Sequence, residues 1–178
     1  MKMIDSDYIK HILALIAIKK AAPIGRYTLK NVLDLSEGKT RGLLKKLSNN
    51  NTIVESKAGA SLTDQGIKEL EKLCKKHKIK RIVERINVEE LGISGESIAL
   101  NLEDGEIINH SITLIRDIAI KFGANTAIII LYKDGKFIVP AVFENLCLIH
   151  PKFCEILAKE FTLNPGDVIV ICSADNIW

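Results

Sequence analysis

The chain has few aromatic residues and no long hydrophobic run, and both shortages limit the kind of protein it can be. Phe, Trp and Tyr make up 5% of the 178 residues, against 47% for hydrophobic residues as a whole, so the core must consist mainly of Ile, Leu, Val and Ala. No run reaches the roughly 18 apolar residues that a membrane helix needs, and no cleavage site follows the apolar part of residues 1–20. We therefore expect a cytoplasmic protein without membrane contact.

Cysteine is also scarce, and its pattern leaves one metal hypothesis open. Four cysteines spread over two segments form no disulfide framework, so we expect reduced thiols. Cys147, His150 and Cys154 have the C-x2-H-x3-C spacing that suits zinc, but the fourth ligand would have to be Cys172 or His110. Free cysteine is often simply buried. We predict no cofactor and leave open whether these residues bind a metal.

The catalytic motifs that one sequence can reveal are missing. There is no Walker A loop and no G-x-G-x-x-G. The side chains that could serve as nucleophiles or metal-binding acids stand in no elbow motif or ligand triplet: Ser97, Ser111, Ser173, Asp117, Asp167 and Asp175. We therefore expect a protein that is not an enzyme and name no catalytic residue.

Charge is unevenly distributed along the chain. Residues 1–81 carry 18 Lys and Arg against eight Asp and Glu, whereas residues 82–178 carry seven against 14. The net charges are +10 and −7. A basic half followed by an acidic half is the pattern expected when one domain contacts a polyanion and the other does not.

The stretch Ser36 to Leu47, SEGKTRGLLKKL, predicts a helix with one apolar and one basic face. Ser36 can act as N-cap, and Glu37 complements the helix dipole. The basic face comprises Lys39, Arg41, Gly42, Lys45 and Lys46. Glycine lets a helix backbone approach another surface, such as the floor of a DNA major groove. The alternative is an ordinary amphipathic helix with a solvated basic face.

Helices and a hairpin surround this stretch. Residues 5–20 predict a first helix capped by Asp5 or Ser6, and Thr28 predicts the cap of a second helix over 29–33. Strands over 52–57 and back through Leu62 form a wing, and Thr63 caps a further helix. This order indicates a winged helix-turn-helix. Residues 22–70 resemble an archaeal winged-helix domain through APIGRYTL, LDLSEGKTRGLLKKL, TIVES and LTDQG.

The second half predicts a small α+β domain with a mixed or antiparallel sheet. Strands are expected over 95–102, 126–132, 136–139 and 167–172, helices over 111–122 and 151–161, and turns at 103–105 and 134–135. IRDIAIKFGANTAIIILYKDGKFIVP and LNPGDVIVICSADN resemble the C-terminal domain of an uncharacterised archaeal family of predicted winged-helix transcriptional regulators. We therefore predict a DNA-binding domain over 1–79 and a dimerisation or effector-sensing domain over 80–178.

Several residues outside the basic helix are further candidates. Arg26 could meet a phosphate or pair with a local acid, and the N-terminal amides of the helix that Thr28 starts could also meet a phosphate. Lys57 on the wing could contact the minor groove. The basic run over 75–81 could reach phosphates or form a solvated linker. Arg116 and Asp117 are candidates for orienting a small ligand, although adjacent opposite charges on a helix are more often a surface ion pair.

These patterns lead to two hypotheses from different classes. In the first, the chain is a transcriptional regulator that binds double-stranded DNA, and its acidic α+β domain forms a homodimer, senses a small-molecule effector, or does both. In the second, it is a small enzyme or metabolite-binding protein whose winged helix serves as a protein- or RNA-interaction module.

Overall fold

The computed structural model describes residues 6–103 and 112–175. The chain divides into two compact units at the bond between Lys76 and His77, three residues before the predicted boundary. Some predictions lie outside the described residues: Asp5 or the Ser6 side chain as a cap, the end of the turn over 103–105, Ser111 at the start of a helix, and His110 as a ligand. Within the described ranges, no helix is long and apolar enough to cross a membrane.

The first unit consists of four helices and a two-stranded antiparallel wing. The wing is β1 (Ile53–Ser56) paired with β2 (Gly59–Leu62). The helices are α1 (Ser6–Ala21), α2 (Arg26–Val32), α3 (Glu37–Asn49) and α4 (Asp64–Lys76). The order of helix, helix, turn, helix and wing confirms the predicted winged helix-turn-helix.

Helix α1 forms the centre of this unit. Five consecutive residues, Ala14 to Ile18, are buried, so the helix is covered all round over that length. It packs against α2, β2 and α4. A helix that is hydrophobic on every side is expected in this position.

The start of α2 differs from the prediction. The helix begins at Arg26, directly after Gly25, and has no side-chain cap. Thr28 is therefore not its cap but an exposed residue within the helix. The physical reason is a pairing that local sequence does not reveal: Ile24 and Ala60 exchange two backbone hydrogen bonds of 2.9 Å, which fixes the chain to the wing immediately before the helix.

Helix α3 follows the prediction closely. The Ser36 hydroxyl accepts a hydrogen bond from the Lys39 amide at 3.4 Å, and Thr40, Leu44 and Leu47 are buried. The helix ends at Asn49, and the nearby Asn51 takes a left-handed backbone conformation with φ of 55°, which asparagine tolerates.

Glycine at position 66 allows α4 to lie directly against the entry to the wing. A Cβ atom on Gly66 would stand 2.1 Å from the Thr52 carbonyl oxygen. Side chains join the same region, since Glu69 accepts a hydrogen bond from the Thr52 hydroxyl at 2.9 Å and pairs with His11 of α1 at 2.8 Å. Helices α1 and α4 thereby hold the wing.

In the described part of the second unit, a five-stranded antiparallel sheet is packed with two α-helices. The strand order is β3-β4-β7-β5-β6, and every pairing is antiparallel, so the mixed alternative is excluded. The elements are β3 (Ile79–Glu84), β4 (Glu96–Leu102), α5 (Ile112–Lys121), β5 (Thr126–Lys133), β6 (Lys136–Ile138), α6 (Pro151–Glu160) and β7 (Val168–Ala174). This unit confirms the predicted α+β class.

Each face of the sheet carries its own core. Ala99, Ile130 and Ile171 lie on one face and pack with Phe153 and Leu157 of α6. The opposite face is smaller: Leu102, Ile129 and Val168 are its buried residues, and Ile112 and Ile115 of α5 pack against them. Side chains alternate across the strands because the period of a strand is two.

Two segments of this unit differ from what the sequence suggested. The basic run over 75–81 is not only a linker, because its last residues enter β3: Lys80 pairs with the buried Asp167 at 2.6 Å, and Arg81 pairs with Glu160 at 3.2 Å. Phe122, the last residue of the helix predicted over 111–122, lies just beyond α5 and is 64% exposed. The helix ends at Lys121, and Gly123 then turns the chain with φ of 102°.

Replacing Gly66 tests the packing of α4 on the wing. We expect Gly66→Ala to lower the free energy of unfolding by about 1–3 kcal/mol, because the added methyl group overlaps a backbone oxygen that has little room to move. Chemical denaturation checks this. The matched control is Gly38→Ala in α3, where an added Cβ meets nothing within 4 Å and should stabilise by about 0.5–1 kcal/mol. Equal effects would contradict the packing.

Candidate nucleic-acid interface

The exposed face of α3 has a glycine centre and cationic flanks. Successive residues of a helix are offset by roughly 100°, so burial of Thr40, Leu44 and Leu47 directs Gly38 and Gly42 to the middle of the outer face. The flanks carry four exposed cations, Lys39 and Lys46 on one side and Arg41 and Lys45 on the other. The structure thus brings together all five residues that the sequence predicted on this helix.

The two glycines have no packing contact for a Cβ among the residues that the structure describes. A Cβ at Gly38 or Gly42 would meet nothing within 4 Å, and both positions are helical. Glycine in a helix interior costs roughly 0.5–1 kcal/mol relative to alanine. Fold stability therefore does not explain them. A strip of bare backbone about one turn long can instead lie against an external surface.

One carboxylate engages two of the predicted contact residues. Glu37 Oε1 lies 3.0 Å from Arg41 Nη2 and 3.3 Å from Arg26 Nη2. Sequence spacing indicates the pair with Arg41, because residues i and i+4 share a helix face, but not the pair with Arg26 across the turn. In the free protein, both guanidinium groups therefore face a negative charge at the start of α3.

Tyr27 extends this cluster and was missed by sequence reasoning. The Arg26 guanidinium lies 5.1 Å from the centre of the Tyr27 ring, and its Nη2 is 3.5 Å from the phenol oxygen. The ring is 65% exposed. The available signal was an aromatic residue directly after the arginine in a chain with few aromatics.

Helix α1 contributes to the same surface, which the sequence did not indicate. Lys10 and His11 of α1 line a cavity of about 270 Å³ together with Lys39, Gly42 and Lys46 of α3. Lys10 also donates a hydrogen bond to the Leu33 carbonyl. Asp7 of α1 also borders this cavity, so the α1 side of the surface carries both charges.

The remaining predicted contacts lie at the edges of the unit. Lys57 is exposed in the turn between β1 and β2, at the tip of the wing. Thr28 is exposed on α2 but does not start that helix, so the contact predicted from its capping role loses its basis.

The second unit contains a separate cavity that includes only one of the two predicted ligand residues. Arg116 lines an apolar cavity of about 400 Å³, whereas Asp117 is not among the described residues that border it. The two side chains contact each other only loosely, with Arg116 Nε 4.0 Å from Asp117 Oδ1. Ser97 borders a different cavity of about 300 Å³.

The cysteine pattern is a disulfide and not a metal site. Cys147 and Cys154 are bonded to each other, with their Cα atoms 5.6 Å apart, so the expectation of four reduced thiols was wrong and neither sulfur is free to bind zinc. Their spacing brings them together because α6 starts at Pro151 and returns Cys154 towards the preceding turn. Burial raises the pKa of the Cys172 thiol, which disfavours the thiolate that a metal needs. Within the described residues, no group of three or more potential ligands forms a metal site.

Two family models match separate parts of the chain. Residues 8–68 match the family described as PH0730-like, N-terminal domain, and residues 93–177 match the family described as Domain of unknown function (DUF4443). No curated protein matches the chain. These families carry no assigned activity in their descriptions.

A solved structure supports the fold of most of the chain. Hypothetical protein PH0730 from the archaeon Pyrococcus horikoshii OT3 aligns with a TM-score of 0.74 and 28% identity, over 94% of this chain and 83% of its own. A protein with unknown function from Listeria innocua Clip11262 covers 37% of this chain and 50% of its own at 22% identity. Its TM-score of 0.35 is too low to support a shared fold. The chain is thus similar to an uncharacterised, archaeal-type family.

Proposed function

We propose that this protein is a transcriptional regulator that binds double-stranded DNA through α3. The observation that carries the proposal is the outer face of that helix: two glycines without an internal packing role between two pairs of exposed cations. In helix-turn-helix proteins the second helix of the motif enters the major groove, and its N-terminal residues contact base edges. No catalytic step is part of the proposal.

Each part of the surface has a role in this arrangement. Lys39, Lys45 and Lys46 neutralise phosphates along the two strands that border the groove. Arg41 is the candidate for reading guanine, because its planar fork can donate two hydrogen bonds to one base edge. Gly42 gives the backbone room to approach the groove floor, and Lys57 on the wing and Arg26 on α2 add peripheral phosphate contacts.

The second unit supplies dimerisation in this proposal. Two-fold symmetry places two recognition helices about 34 Å apart, one turn of the duplex. The protein acts as a cytoplasmic homodimer whose second unit also senses an effector. The acidic charge of residues 82–178 keeps that unit away from DNA by repulsion.

The cavity beside Arg116 favours a second candidate function. The chain is then a small enzyme or metabolite-binding protein whose winged helix binds RNA or protein. Duplex RNA separates the two, because the deep and narrow major groove of A-form RNA does not admit a helix. Stronger binding to duplex RNA than to duplex DNA would favour the second function.

Removing two flank cations tests the DNA interface. We expect Lys39→Ala with Arg41→Ala to weaken binding to a 20-base-pair duplex by at least about tenfold at 0.15 M salt, because two phosphate or base contacts are lost. Fluorescence anisotropy measures the affinity. Lys68→Ala with Lys72→Ala removes the same charge from the exposed side of α4 and should cost no more than about threefold. Equal losses would show that only net charge matters.

A bulky side chain at the glycine strip tests close approach. We expect Gly42→Leu to reduce duplex affinity by about tenfold or more while all cations remain, because the side chain separates the helix from the groove floor. Since leucine favours helix, thermal unfolding should show equal or higher stability. Unchanged affinity with a stable fold would mean that α3 does not enter the groove.

Neutralising Glu37 tests whether its carboxylate competes with DNA for Arg26 and Arg41. We expect Glu37→Gln to bind non-specific duplex DNA roughly fivefold more tightly at 0.15 M salt, because one competing negative charge is removed. Glu71→Gln, the same change on the exposed side of α4, should have less effect. Weaker binding by Glu37→Gln would indicate instead that the carboxylate itself accepts a hydrogen bond from cytosine.

A further inference from the structure

We infer that the cavity beside α5 is a binding site for a small apolar molecule that carries a single carboxylate, with Arg116 as the group that holds the carboxylate. Its volume of about 400 Å³ lies within the roughly 300–1,000 Å³ typical of small-molecule sites. Those sites combine an apolar wall with a few polar groups that fix the orientation of the ligand.

The wall of this cavity is apolar and comes from several elements. Ala127 and Ile129 of β5 contribute on one side, and Leu91 and Leu146 contribute from the connecting segments. Apart from Thr113 and Arg116, all lining side chains of the described residues are hydrophobic. Such a wall stabilises the apolar part of a ligand by removing its surface from water.

A short loop closes another side of the cavity. Val139 and Phe143 exchange two backbone hydrogen bonds of 2.9 and 2.8 Å, so the intervening residues form a tight loop, all of it bordering the cavity. Val142 in this loop is 65% exposed and marks the open side. Because the loop is closed by its own hydrogen bonds, this wall is in place without a ligand.

The polar groups of the cavity define the charge of the ligand. Arg116 and Thr113 are three residues apart on α5 and share a face of the helix. The Arg116 side chain is 58% exposed and its contact with Asp117 is 4.0 Å long, an arrangement that contributes little in water. It is thus available to an incoming anion, and its planar fork matches the two oxygens of a carboxylate.

A monocarboxylate fits this chemistry better than its rivals. A neutral apolar molecule would leave the arginine without a partner in the ligand. A phosphate dianion would meet only one cation among the described lining residues. The binding site stands independently of DNA, but its role as an effector site rests on the proposed function. In that role the ligand would change the DNA affinity of the dimer.

Matched probes test the site in the full-length protein. Octanoate and octan-1-ol share a chain and differ in the carboxylate, and isothermal titration calorimetry without DNA measures both. We expect octanoate to bind more tightly. Arg116→Gln should weaken octanoate by at least about tenfold and octan-1-ol by less than about twofold. Asp117→Asn is the control and should leave octanoate binding equal or tighter, because a competing carboxylate is removed.

The outcomes separate this inference from the proposed function. No octanoate binding, or octanoate binding that Arg116→Gln leaves unchanged, would overturn the site even if the protein binds DNA. Octanoate binding with the expected response to Arg116→Gln supports the site even if no DNA binds.

Ala127→Leu narrows the cavity from its inner wall and should weaken the binding of both probes. If that variant fails to fold, Val142→Trp narrows the cavity from its open side. Unchanged binding of both probes by a folded variant would place them elsewhere and overturn the site.

Discussion

The burial of one stripe of α3 determines the candidate interface. Thr40, Leu44 and Leu47 pack inside the first unit, where α3 lies against α2 and β1. Because the helix period is 3.6 residues, this burial directs the glycines and the lysines on their flanks outward. The apolar stripe and the cationic face are thus two consequences of one amphipathic pattern.

The outer face of α3 carries exposed cations and also a carboxylate that pairs with two of the arginines. Its flanks present exposed cations, but Glu37 lies within 3.3 Å of Arg26 and 3.0 Å of Arg41. A phosphate or a base edge must therefore compete with a carboxylate for these two guanidinium groups, whereas Lys45 and Lys46 are exposed on the same helix. Such competition weakens the attraction of these two guanidinium groups to any polyanion.

The sequence predicted those features that arise from local periodicity and turn chemistry. The cap at Ser36, the buried face of α3, the wing and the turn at Asp134 and Gly135 all follow from residues close together in the chain, and the structure has them. The prediction failed where segments that are far apart in the chain contact each other. The pairing of Ile24 with Ala60 fixes the chain just before Arg26, so α2 starts there and not at Thr28. Lys80, in a run interpreted as a possible linker, lies in β3 and pairs with Asp167. The Cys147 to Cys154 bond also depends on how α6 folds back.

For the candidate sites as well, residues grouped by one helix were predictable, and residues grouped by contacts between distant segments were not. The five residues on α3 share a face because they share a helix, so their grouping was predictable. Tyr27, Lys10 and the cavity beside Arg116 required three-dimensional neighbours, and Asp117 was paired with Arg116 only by adjacency. The central proposal is that α3 binds nucleic acid. Its exposed cations would then release counterions from the phosphates that they contact.

The salt dependence of duplex binding tests that proposal most directly. Binding of the full-length protein to a fluorescent 20-base-pair duplex is measured by anisotropy from 50 to 300 mM salt, and the logarithm of the association constant is plotted against that of the salt concentration. If Lys39, Lys45 and Lys46 neutralise phosphates and displace their counterions, the slope should be about −2.7 or steeper for each α3 bound. No measurable binding, or a slope near zero, would contradict the account.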